Sequence, residues 1–425
     1  MNREHYKKRI IDSKVEEYLD TFGAVCIEGP KWCGKTWTST FHCRSSIYLS
    51  DPANNFQNRR LAELAPQAIL EGEVPRLIDE WQEYPPLWDA VRHQVDKRGE
   101  VGQYILTGSS TPKHKGIMHS GAGRIARLRM RPMSLYESGE SCGCVSLQDI
   151  CRGKLTPQLT GEVALHHIVQ FIVRGGWPGA VLRKPNRAGL LSAEYLRAIL
   201  EDDVYRMDGI QRNSHKMLQL LRSLARNVAT TAGISKLRAD IRTDSGEDID
   251  DKTIAAYLDI FQRLYLLENQ PAFSSNIRSS VRVKQAEKRH FTDPSLACSL
   301  LKATPEMLIN DLNTLGILFE SLCIRDLQIY ADSFNARVYH YQDYKEREAD
   351  AVIELPDGTW CAFEIKLGAR QIDAAAAGLI KLRNSIAAEP GSKPPAVLAV
   401  ICALSNAAYQ REDGVYVLPL TALKP

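Results

Sequence analysis

Residues 29–36 read Gly-Pro-Lys-Trp-Cys-Gly-Lys-Thr and directly follow an apolar run at residues 23–28. Gly29, four intervening residues and then Gly34, Lys35 and Thr36 have the spacing of a phosphate-binding P-loop. A strand, this loop and a following helix form one unit of a parallel α/β sheet. A glycine turn with an unrelated lysine is the alternative, but it explains neither the preceding strand nor the full spacing. The sequence therefore predicts a nucleotide-binding α/β domain.

The motif suggests a role for each part of the loop. Its backbone N–H groups and the following helix N-terminus are expected to face phosphate oxygens. Lys35 is expected to reach the β- and γ-phosphates of ATP, and the Thr36 hydroxyl to hold Mg²⁺. The predicted nucleotide-binding residues are Gly29, Pro30, Lys31, Trp32, Cys33, Gly34, Lys35 and Thr36.

Two further apolar strands are predicted to end in polar side chains that complete an ATPase site. Residues 75–80 end in Asp79, a candidate Mg²⁺ ligand, and Glu80, a candidate general base for the attacking water. Residues 103–110 supply Thr107, or else Ser109, as a hydroxyl that senses the γ-phosphate. Acids at strand ends are common, but ligands of open α/β sheets bind where several such ends meet.

Composition limits the class of protein and its location. The chain has 425 residues, which favours two or three domains, and its net charge of +3 leaves nucleic-acid binding to local patches. Ten cysteines without a CxxC pair indicate a reducing compartment. We interpret Cys142, Cys144 and Cys151 as free thiols in a polar loop rather than as a metal site. The chain opens without an apolar leader and its longest apolar run, 396–404, has the length of a strand, so a cytoplasmic location without a membrane partner is predicted.

Arg124 precedes a stretch in which apolar and basic residues alternate, 125–130, and this stretch is predicted to be a strand. The arginine follows Gly121 and Gly123 and is a candidate for approaching the γ-phosphate, within one subunit or from a neighbouring one. A surface arginine on a basic strand is an equally open alternative.

These motifs resemble the AAA-like ATPases of bacteria and archaea that carry a C-terminal domain of unknown function. The resemblance covers nearly the whole chain and includes Gly175-Gly176-Trp177-Pro178, which is similar to the Gly-x-Pro signature of signalling ATPases. It implies that Pro178 lies against the nucleotide, that the segment 174–178 closes the pocket, and that residues 160–215 form a helical lid.

Residues 214–290 are predicted to form a winged helix-turn-helix. Helices are expected at 217–228 and 234–241, and Asp250 or Asp251 is expected to cap a third. Its apolar face is predicted to comprise Ile254, Tyr257, Leu258, Phe261 and Leu264. Candidate DNA contacts are Lys252 and Thr253 on the third helix and Arg282 and Lys284 in the wing. Such a module also serves as an ATPase lid or protein contact, and this alternative stays open.

The last third of the chain resembles the restriction-endonuclease-like fold and its PD-(D/E)XK pattern. A helix is expected around 316–330, strands at 336–341, 348–354 and 359–366, a helix at 372–386, and strands at 396–403 and 415–420. Asp350, Glu364, Lys366 and helical Glu320 carry the pattern, although Ala349 replaces its proline. The resemblance implies that Asp350 and Glu364, with or without Glu320, bind Mg²⁺ and that Lys366 orients the attacking water.

The predicted architecture is therefore α/β in four parts. They are an AAA-like P-loop ATPase domain with a parallel sheet at 1–150, a helical lid at 151–213, a winged helix at 214–292 and a nuclease-like domain at 293–425. The predicted function is a Mg²⁺-dependent hydrolase of ATP whose nucleotide state controls the nuclease-like module acting on nucleic acid, with DNA the expected partner. The alternative is an ATP-dependent switch whose C-terminal domain binds without cleaving. An oligomer is possible.

Overall fold

The computed structural model describes residues 5–111, 117–183, 188–207, 209–246, 248–276, 285–343, 347–389 and 391–425. The chain forms two compact units. The first comprises Met1–Pro132, Glu201–Arg212 and Asp259–Leu266, and the second comprises the rest of the chain. The first segment of the first unit ends before the predicted domain boundary at 150. The other two segments of this unit come from the predicted lid and the predicted winged helix. The division of the chain into four functional parts stays a prediction.

A five-stranded parallel sheet forms the centre of the first unit, in the order β2-β3-β4-β1-β5. It confirms the predicted parallel α/β fold. The strands are β1 (Ala24–Glu28), β2 (Ser45–Tyr48), β3 (Arg76–Asp79), β4 (Tyr104–Gly108) and β5 (Ile125–Arg129).

The inner strand β1, which lies between β4 and β5, is buried on both faces, and this burial explains its continuous apolar sequence. Ala24 and Cys26 pack into one core cluster, whereas Val25 and Ile27 pack into another. Successive side chains of a strand point to opposite faces, and parallel sheets are covered by helices on both sides. The first unit contains the helices Asp12–Leu19, Lys35–His42, Ala53–Leu64, Pro66–Ile69, Leu87–Arg98 and Val204–Arg206, together with the end of the helix Asp251–Arg263.

The second unit is organised around a seven-stranded mixed sheet, in the order β10-β11-β12-β13-β15-β14-β7. Strands β10 to β12 are antiparallel neighbours, and β13 lies parallel to β12 after the helix Ile372–Ala387. These elements confirm the predicted local structures, but the short strands β7 and β14 were not predicted. The strands are β7 (Gln158–Leu159), β10 (Arg337–Gln342), β11 (Glu348–Glu354), β12 (Trp360–Lys366), β13 (Val397–Cys402), β14 (Ala407–Gln410) and β15 (Tyr416–Pro419).

Two smaller strand pairs complete the β-structure described for this unit. Strand β6 (Val145–Ser146) is parallel to β16 (Leu423–Lys424), and β8 (Leu267–Gln270) is antiparallel to β9 (Lys288–Phe291). The helices are Leu135–Ser138, Leu147–Cys151, Leu165–Arg174, Pro178–Val181, Ala188–Ala198, Ser214–Arg226, Ile234–Ser245, the start of Asp251–Arg263, Pro294–Leu301, Pro305–Asn310, Leu312–Ser333 and Ile372–Ala387.

Three helices followed by the β8–β9 pair occupy the region of the predicted winged helix. The predicted apolar face of the third helix is buried at all five positions, Ile254, Tyr257, Leu258, Phe261 and Leu264. Asp250 caps this helix, because its carboxylate accepts hydrogen bonds from the N–H and hydroxyl of Thr253 at 2.9 and 2.6 Å. The assignment as a winged helix stays a prediction.

Within the second unit, a buried network of ion pairs contacts the Gly175–Pro178 motif. Arg325 donates to Asp293 at 2.9 Å and to Asp326 at 2.7 Å, and Asp293 also accepts the Gly176 N–H at 2.8 Å. A Cβ atom at Gly176 would lie 2.0 Å from the carbonyl oxygen of Met133, so a side chain would disrupt this packing. The motif therefore has a structural role here, and the contact of Pro178 with nucleotide stays a prediction.

Within the described ranges, no helix is both long enough and apolar enough to cross a lipid bilayer.

Candidate nucleotide site and C-terminal acid cluster

The P-loop connects the end of β1 to the helix Lys35–His42, as predicted. Gly34 caps this helix in the left-handed region with φ of +108°. A Cβ atom at Gly29 would lie 2.1 Å from the carbonyl oxygen of Met130, so only glycine fits there. Trp32 has a φ of +67°, a strained conformation for a residue with a side chain. The loop thus has left-handed backbone at two positions and has no room for a side chain at a third.

Lys35 and Arg9 hold the loop in this conformation. The buried Lys35 ammonium donates to the carbonyl oxygens of Gly29 and Pro30 at 2.9 and 2.8 Å. Arg9, far away in the sequence, donates to the carbonyl oxygen of Cys33 at 2.8 Å. Sequence reasoning missed Arg9, because no motif includes it.

The predicted acids meet at the carboxyl end of β3, where the Thr107 hydroxyl connects them. This hydroxyl donates to Asp79 Oδ1 at 2.7 Å and accepts the backbone N–H of Glu80 at 2.8 Å. Asp79 and Thr107 are both buried. Because these two bonds engage Thr107, sensing of a γ-phosphate by this residue stays a prediction.

The environment of Asp79 combines burial with nearby donors. Burial raises the pKa of Asp79 above its usual value, and the charge of Glu80 acts in the same direction. Hydrogen bonds from Thr107 and Thr36 and the charge of Lys35 oppose this rise in the pKa. The Thr36 hydroxyl and the Asp79 carboxylate, the two predicted Mg²⁺ ligands, are therefore neighbours and supply hard oxygen donors.

Glu80 is fixed by the residues around it rather than by a regular element. Its backbone is left-handed, with φ of +55°. The Ser109 hydroxyl donates to Glu80 Oε2 at 2.6 Å, and the Gln82 amide donates to the same oxygen. Gln82 also donates to the Ser109 oxygen at 3.1 Å. Ser109, the alternative sensor, thus positions the candidate base.

A cavity of about 440 Å³ lies beside this network, and its lining includes Lys31, Gln82, Ser109, Asp203 and Arg206. All the residues lining it belong to the first unit. Lys31 of the P-loop forms an ion pair with Asp203 at 2.5 Å. Asp203 is more than 150 positions away in the sequence, so only the fold brings it to the P-loop.

Arg124 does not lie beside the P-loop of its own chain. It precedes β5, which runs parallel to β1 with Ile125 opposite Ala24 and Arg129 opposite Glu28. The P-loop follows Glu28, so Arg124 lies at the other end of the strands, roughly 16 Å away at about 3.3 Å per residue. Its guanidinium bonds Asp96 at 2.7 Å. Action within one subunit is therefore wrong on geometry, and action on a neighbouring subunit stays a prediction.

The structure describes two of the four candidate DNA-contact residues. Lys252 is exposed at the start of its helix, whereas the Thr253 hydroxyl is engaged by Asp250. Arg282 and Lys284 lie outside the described residues. DNA contact by this region stays a prediction.

The four nuclease-like residues converge in the second unit from three elements, β11, β12 and the helix Leu312–Ser333. The Lys366 ammonium lies 2.5 Å from Glu364 Oε2 and 3.3 Å from Asp350 Oδ2. Asp350 Oδ2 also accepts the backbone N–H of Ile365 at 2.8 Å. Glu320 is connected to this group through a further lysine.

That lysine is Lys288 on β9. Its ammonium donates to Glu320 Oε1 at 2.9 Å and lies 3.7 Å from Asp350 Oδ1. Its side chain is only 10% exposed. The run Lys-Arg-His-Phe at 288–291 does not identify which of its basic side chains enters a core, so sequence reasoning missed this role.

Burial and repulsion shift the pKa values of two members of the C-terminal acid cluster, which comprises Glu320, Asp350 and Glu364. The pKa of Glu320 rises to about 7 and that of Glu364 to about 8, because both are buried beside the Asp350 charge. Burial acts to lower the pKa of Lys288 and Lys366, but the carboxylates outweigh it and both values are raised. The two lysines thus stay cationic, and Glu320 and Glu364 bind protons readily.

The acid cluster does not fit a Mg²⁺ ion in this arrangement. Across the described ranges, no group of three or more His, Cys, Asp or Glu side chains has a metal-binding arrangement. Lys288 and Lys366 supply the positive charge that a cation would otherwise bring. The predicted Mg²⁺ ligands Asp350 and Glu364 are therefore paired with lysine instead.

Comparison with protein families agrees with the geometry of the first site. Residues 21–139 match an AAA domain. These residues form an AAA-like P-loop domain. Residues 165–307 match one domain of unknown function (DUF8612), and residues 315–423 match another (DUF4143).

The proteins similar to this chain align with most of its length. The uncharacterized proteins Mb2031c of Mycobacterium bovis and Rv2008c of Mycobacterium tuberculosis are each 22% identical over 85% of this chain and 74% of their own length. Among solved structures, the Walker-type ATPase PABY2304 of Pyrococcus abyssi is 16% identical, covers 71% of this chain and 97% of its own, and has a TM-score of 0.44. The ORC1 protein of Aeropyrum pernix, solved with DNA, is 11% identical over 69% of this chain and 91% of its own, with a TM-score of 0.27.

Proposed function

We propose that this chain is a Mg²⁺-dependent ATPase whose nucleotide state controls a C-terminal nuclease-like module acting on nucleic acid. The observation that carries the ATPase part is the meeting of P-loop and acids. The Thr107 hydroxyl hydrogen-bonds Asp79 and accepts the backbone N–H of Glu80, and Thr36 of the P-loop and the charge of Lys35 lower the pKa of Asp79. This arrangement supports nucleotide hydrolysis because it combines a phosphate-binding loop, a metal-ligand pair and a base.

Each group of the first site has a role in this proposal. The backbone N–H groups of the P-loop and the Lys35 ammonium bind the phosphates. Thr36 and Asp79 would hold Mg²⁺, which when bound neutralises charge on the β- and γ-phosphates. Glu80 accepts a proton from the attacking water while Ser109 and Gln82 keep its carboxylate oriented.

Substitution of the P-loop lysine Lys35 tests the nucleotide assignment. Lys35→Ala should remove a phosphate-binding charge and reduce ATP affinity and turnover by about 10²–10³-fold, the size typical of a lost charge-stabilising donor. Lys97→Ala is the control, because this lysine is exposed on the helix Leu87–Arg98 of the same unit. Equal affinity of the wild type and the Lys35 variant would contradict the P-loop assignment.

The proposed action on nucleic acid rests on the second unit. Asp350, Glu364 and Lys366 lie together on β11 and β12, and Glu320 reaches them from a helix. A lysine beside two acids is suited to orient a water and to stabilise charge on phosphorus. Because a Mg²⁺ ion does not fit this arrangement, cleavage requires that Lys288 leaves Glu320 and Asp350.

Cleavage assays separate this module from the ATPase. Single-stranded, duplex and branched DNA are incubated with Mg²⁺, with and without ATP, using the wild type and Lys366→Ala. Loss of ATP-dependent cleavage in the variant, with ATP turnover retained, would support the proposal. Arg411→Ala is the control, because Arg411 lies in the same unit and pairs with surface acids. Cleavage that survives in the Lys366 variant would show that the site is misplaced.

A second candidate function is an ATP-driven switch whose C-terminal unit binds a partner without cleaving it. The Lys288–Glu320 pair favours it, because this buried ammonium already compensates the acids. It predicts ATP turnover without DNA cleavage under any of the assay conditions. It also predicts that Lys288→Met, which removes the lysine partner of Glu320, leaves cleavage absent.

A further inference from the structure

Cys142 and Cys144 form a pair of thiols outside both proposed sites. Their sulfur atoms lie 3.0 Å apart. All ten cysteines belong to the described residues, and these two are exposed whereas the other eight are buried. Any reaction of the native chain with a thiol reagent is therefore expected to begin here.

The loop that carries the pair is fixed on both sides. The Cys142 N–H donates to the Thr421 carbonyl oxygen at 2.8 Å, and the Cys144 carbonyl oxygen accepts from Gln158 at 3.0 Å. Between them, Gly143 has a φ of +62°, and a Cβ atom there would lie 2.4 Å from the Tyr136 ring. The left-handed glycine and its contact with the ring keep both thiols in one place.

We propose that Cys142 and Cys144 are a reversible modification site, a dithiol that small disulfides such as glutathione disulfide oxidise to an intramolecular disulfide. A disulfide needs the two sulfurs to approach by about 1 Å from their present separation, since the S–S bond is near 2.05 Å. Formation of the disulfide would constrain the loop at 141–144. This loop donates hydrogen bonds to the carbonyl oxygens of Thr421 and of Leu423 in strand β16. The proposal is independent of the ATPase assignment.

The exchange is balanced in two steps. The Cys142 thiolate attacks one sulfur of glutathione disulfide and releases one glutathione thiolate. The Cys144 sulfur then attacks Cys142 in the mixed disulfide and releases the second glutathione. The protein loses two electrons and two protons, and the two glutathione molecules receive them. Burial and the neighbouring Cys142 raise the pKa of Cys144 to about 11, which favours Cys142 as the first nucleophile.

The test uses the full chain in glutathione buffers of graded redox ratio with a chelator present. Samples are quenched with acid, free thiols are alkylated and the peptides are identified by mass spectrometry. The expected oxidised peptide spans 142–144, has lost two hydrogen atoms and regains them with dithiothreitol. Its ratio to the reduced peptide should follow glutathione disulfide divided by the square of glutathione, as a two-electron exchange requires.

Single-cysteine variants distinguish an intramolecular disulfide from other products. Cys144→Ser should accumulate glutathione on Cys142, because the resolving sulfur is missing. The ratio of the glutathione adduct to the free thiol should then follow glutathione disulfide divided by the first power of glutathione. Cys142→Ser should react more slowly. Any of three results would overturn the proposal: both sulfurs alkylated at every ratio, a stable glutathione adduct in the wild type, or a disulfide between the buried Cys151 and Cys361.

Discussion

In the first unit the candidate catalytic acids are oriented by hydroxyl groups and backbone, whereas in the second unit the acids are paired with lysine ammonium groups. Asp79 and Glu80 are oriented by the neutral hydroxyl groups of Thr107 and Ser109. Glu320, Asp350 and Glu364 instead lie within 4 Å of Lys288 or Lys366. Carboxylates that are not paired with a lysine are available to bind a cation, whereas carboxylates already paired with a lysine must first lose that lysine.

The largest expected effect is on catalysis in the first unit. Glu80→Gln removes the general base but keeps the shape of the side chain, so ATP hydrolysis should fall by about 10²–10⁴-fold. ATP binding should be unchanged in an equilibrium assay. Glu83→Gln is the control, since this acid lines the neighbouring cavity. Normal ATP turnover in the Glu80 variant would show that Glu80 has only a structural role, and it would contradict the comparison between the acids of the two units.

Lys288→Met tests the charge balance of the second unit. The change leaves buried Glu320 without a close cation and Asp350 with Lys366 alone, and the free energy of unfolding should fall by about 3–5 kcal/mol at neutral pH. Denaturant unfolding followed in the second unit measures it, with Lys381→Met as the exposed control. If Mg²⁺ stabilises the wild-type second unit, the cluster accepts a metal despite its lysines and the comparison fails.

Thr107→Val tests whether one hydroxyl organises the first site. The substitution keeps the shape but leaves Asp79 and the Glu80 N–H without their buried partner, which should cost about 1–3 kcal/mol of stability. Thr40→Val is a matched control, because its hydroxyl lies 3.4 Å from Tyr48 in a weak contact. Equal losses of stability in the two variants would remove the special role of Thr107.

The smallest effect concerns pH. Glu320 and Glu364 have folded pKa values raised to about 7 and 8. Their stabilising contribution is complete below the unfolded pKa of about 4.3 and is lost as pH rises from that value to the folded pKa. Above about pH 6.5, where the two buried histidines described below no longer oppose this loss, the free energy of unfolding should decline up to about pH 8.

Glu364→Gln should flatten this decline, whereas exposed Glu412→Gln should leave it unchanged. Burial lowers the pKa of His290 to about 3 and that of His340 to about 4, which acts in the opposite direction below about pH 6.5. These two histidines are present in both variants, so the difference between the variants isolates Glu364. A wild-type profile identical to that of the Glu364 variant would contradict the raised pKa.

The P-loop, β3 and β4 were predictable because each is a local pattern: an apolar run followed by glycine, acid or hydroxyl. The C-terminal strands and helices were predictable for the same reason. Arg124 was assigned from its position in the sequence alone, and the parallel register of β1 and β5 places it at the wrong end of the sheet. A residue's place along a strand says little about which edge of the sheet it reaches until the pairing is known.

The local elements and the chemistry at their ends thus follow from the spacing of residues along the chain, since strand, turn and helix depend on near neighbours. The tertiary structure decided which distant side chains balance those groups. Arg9 reached the P-loop, Asp203 reached Lys31, and Lys288 reached Glu320. Charges far apart in sequence interact only after folding brings them within a few ångströms in a poorly solvated interior, where pairing and desolvation set their ionisation.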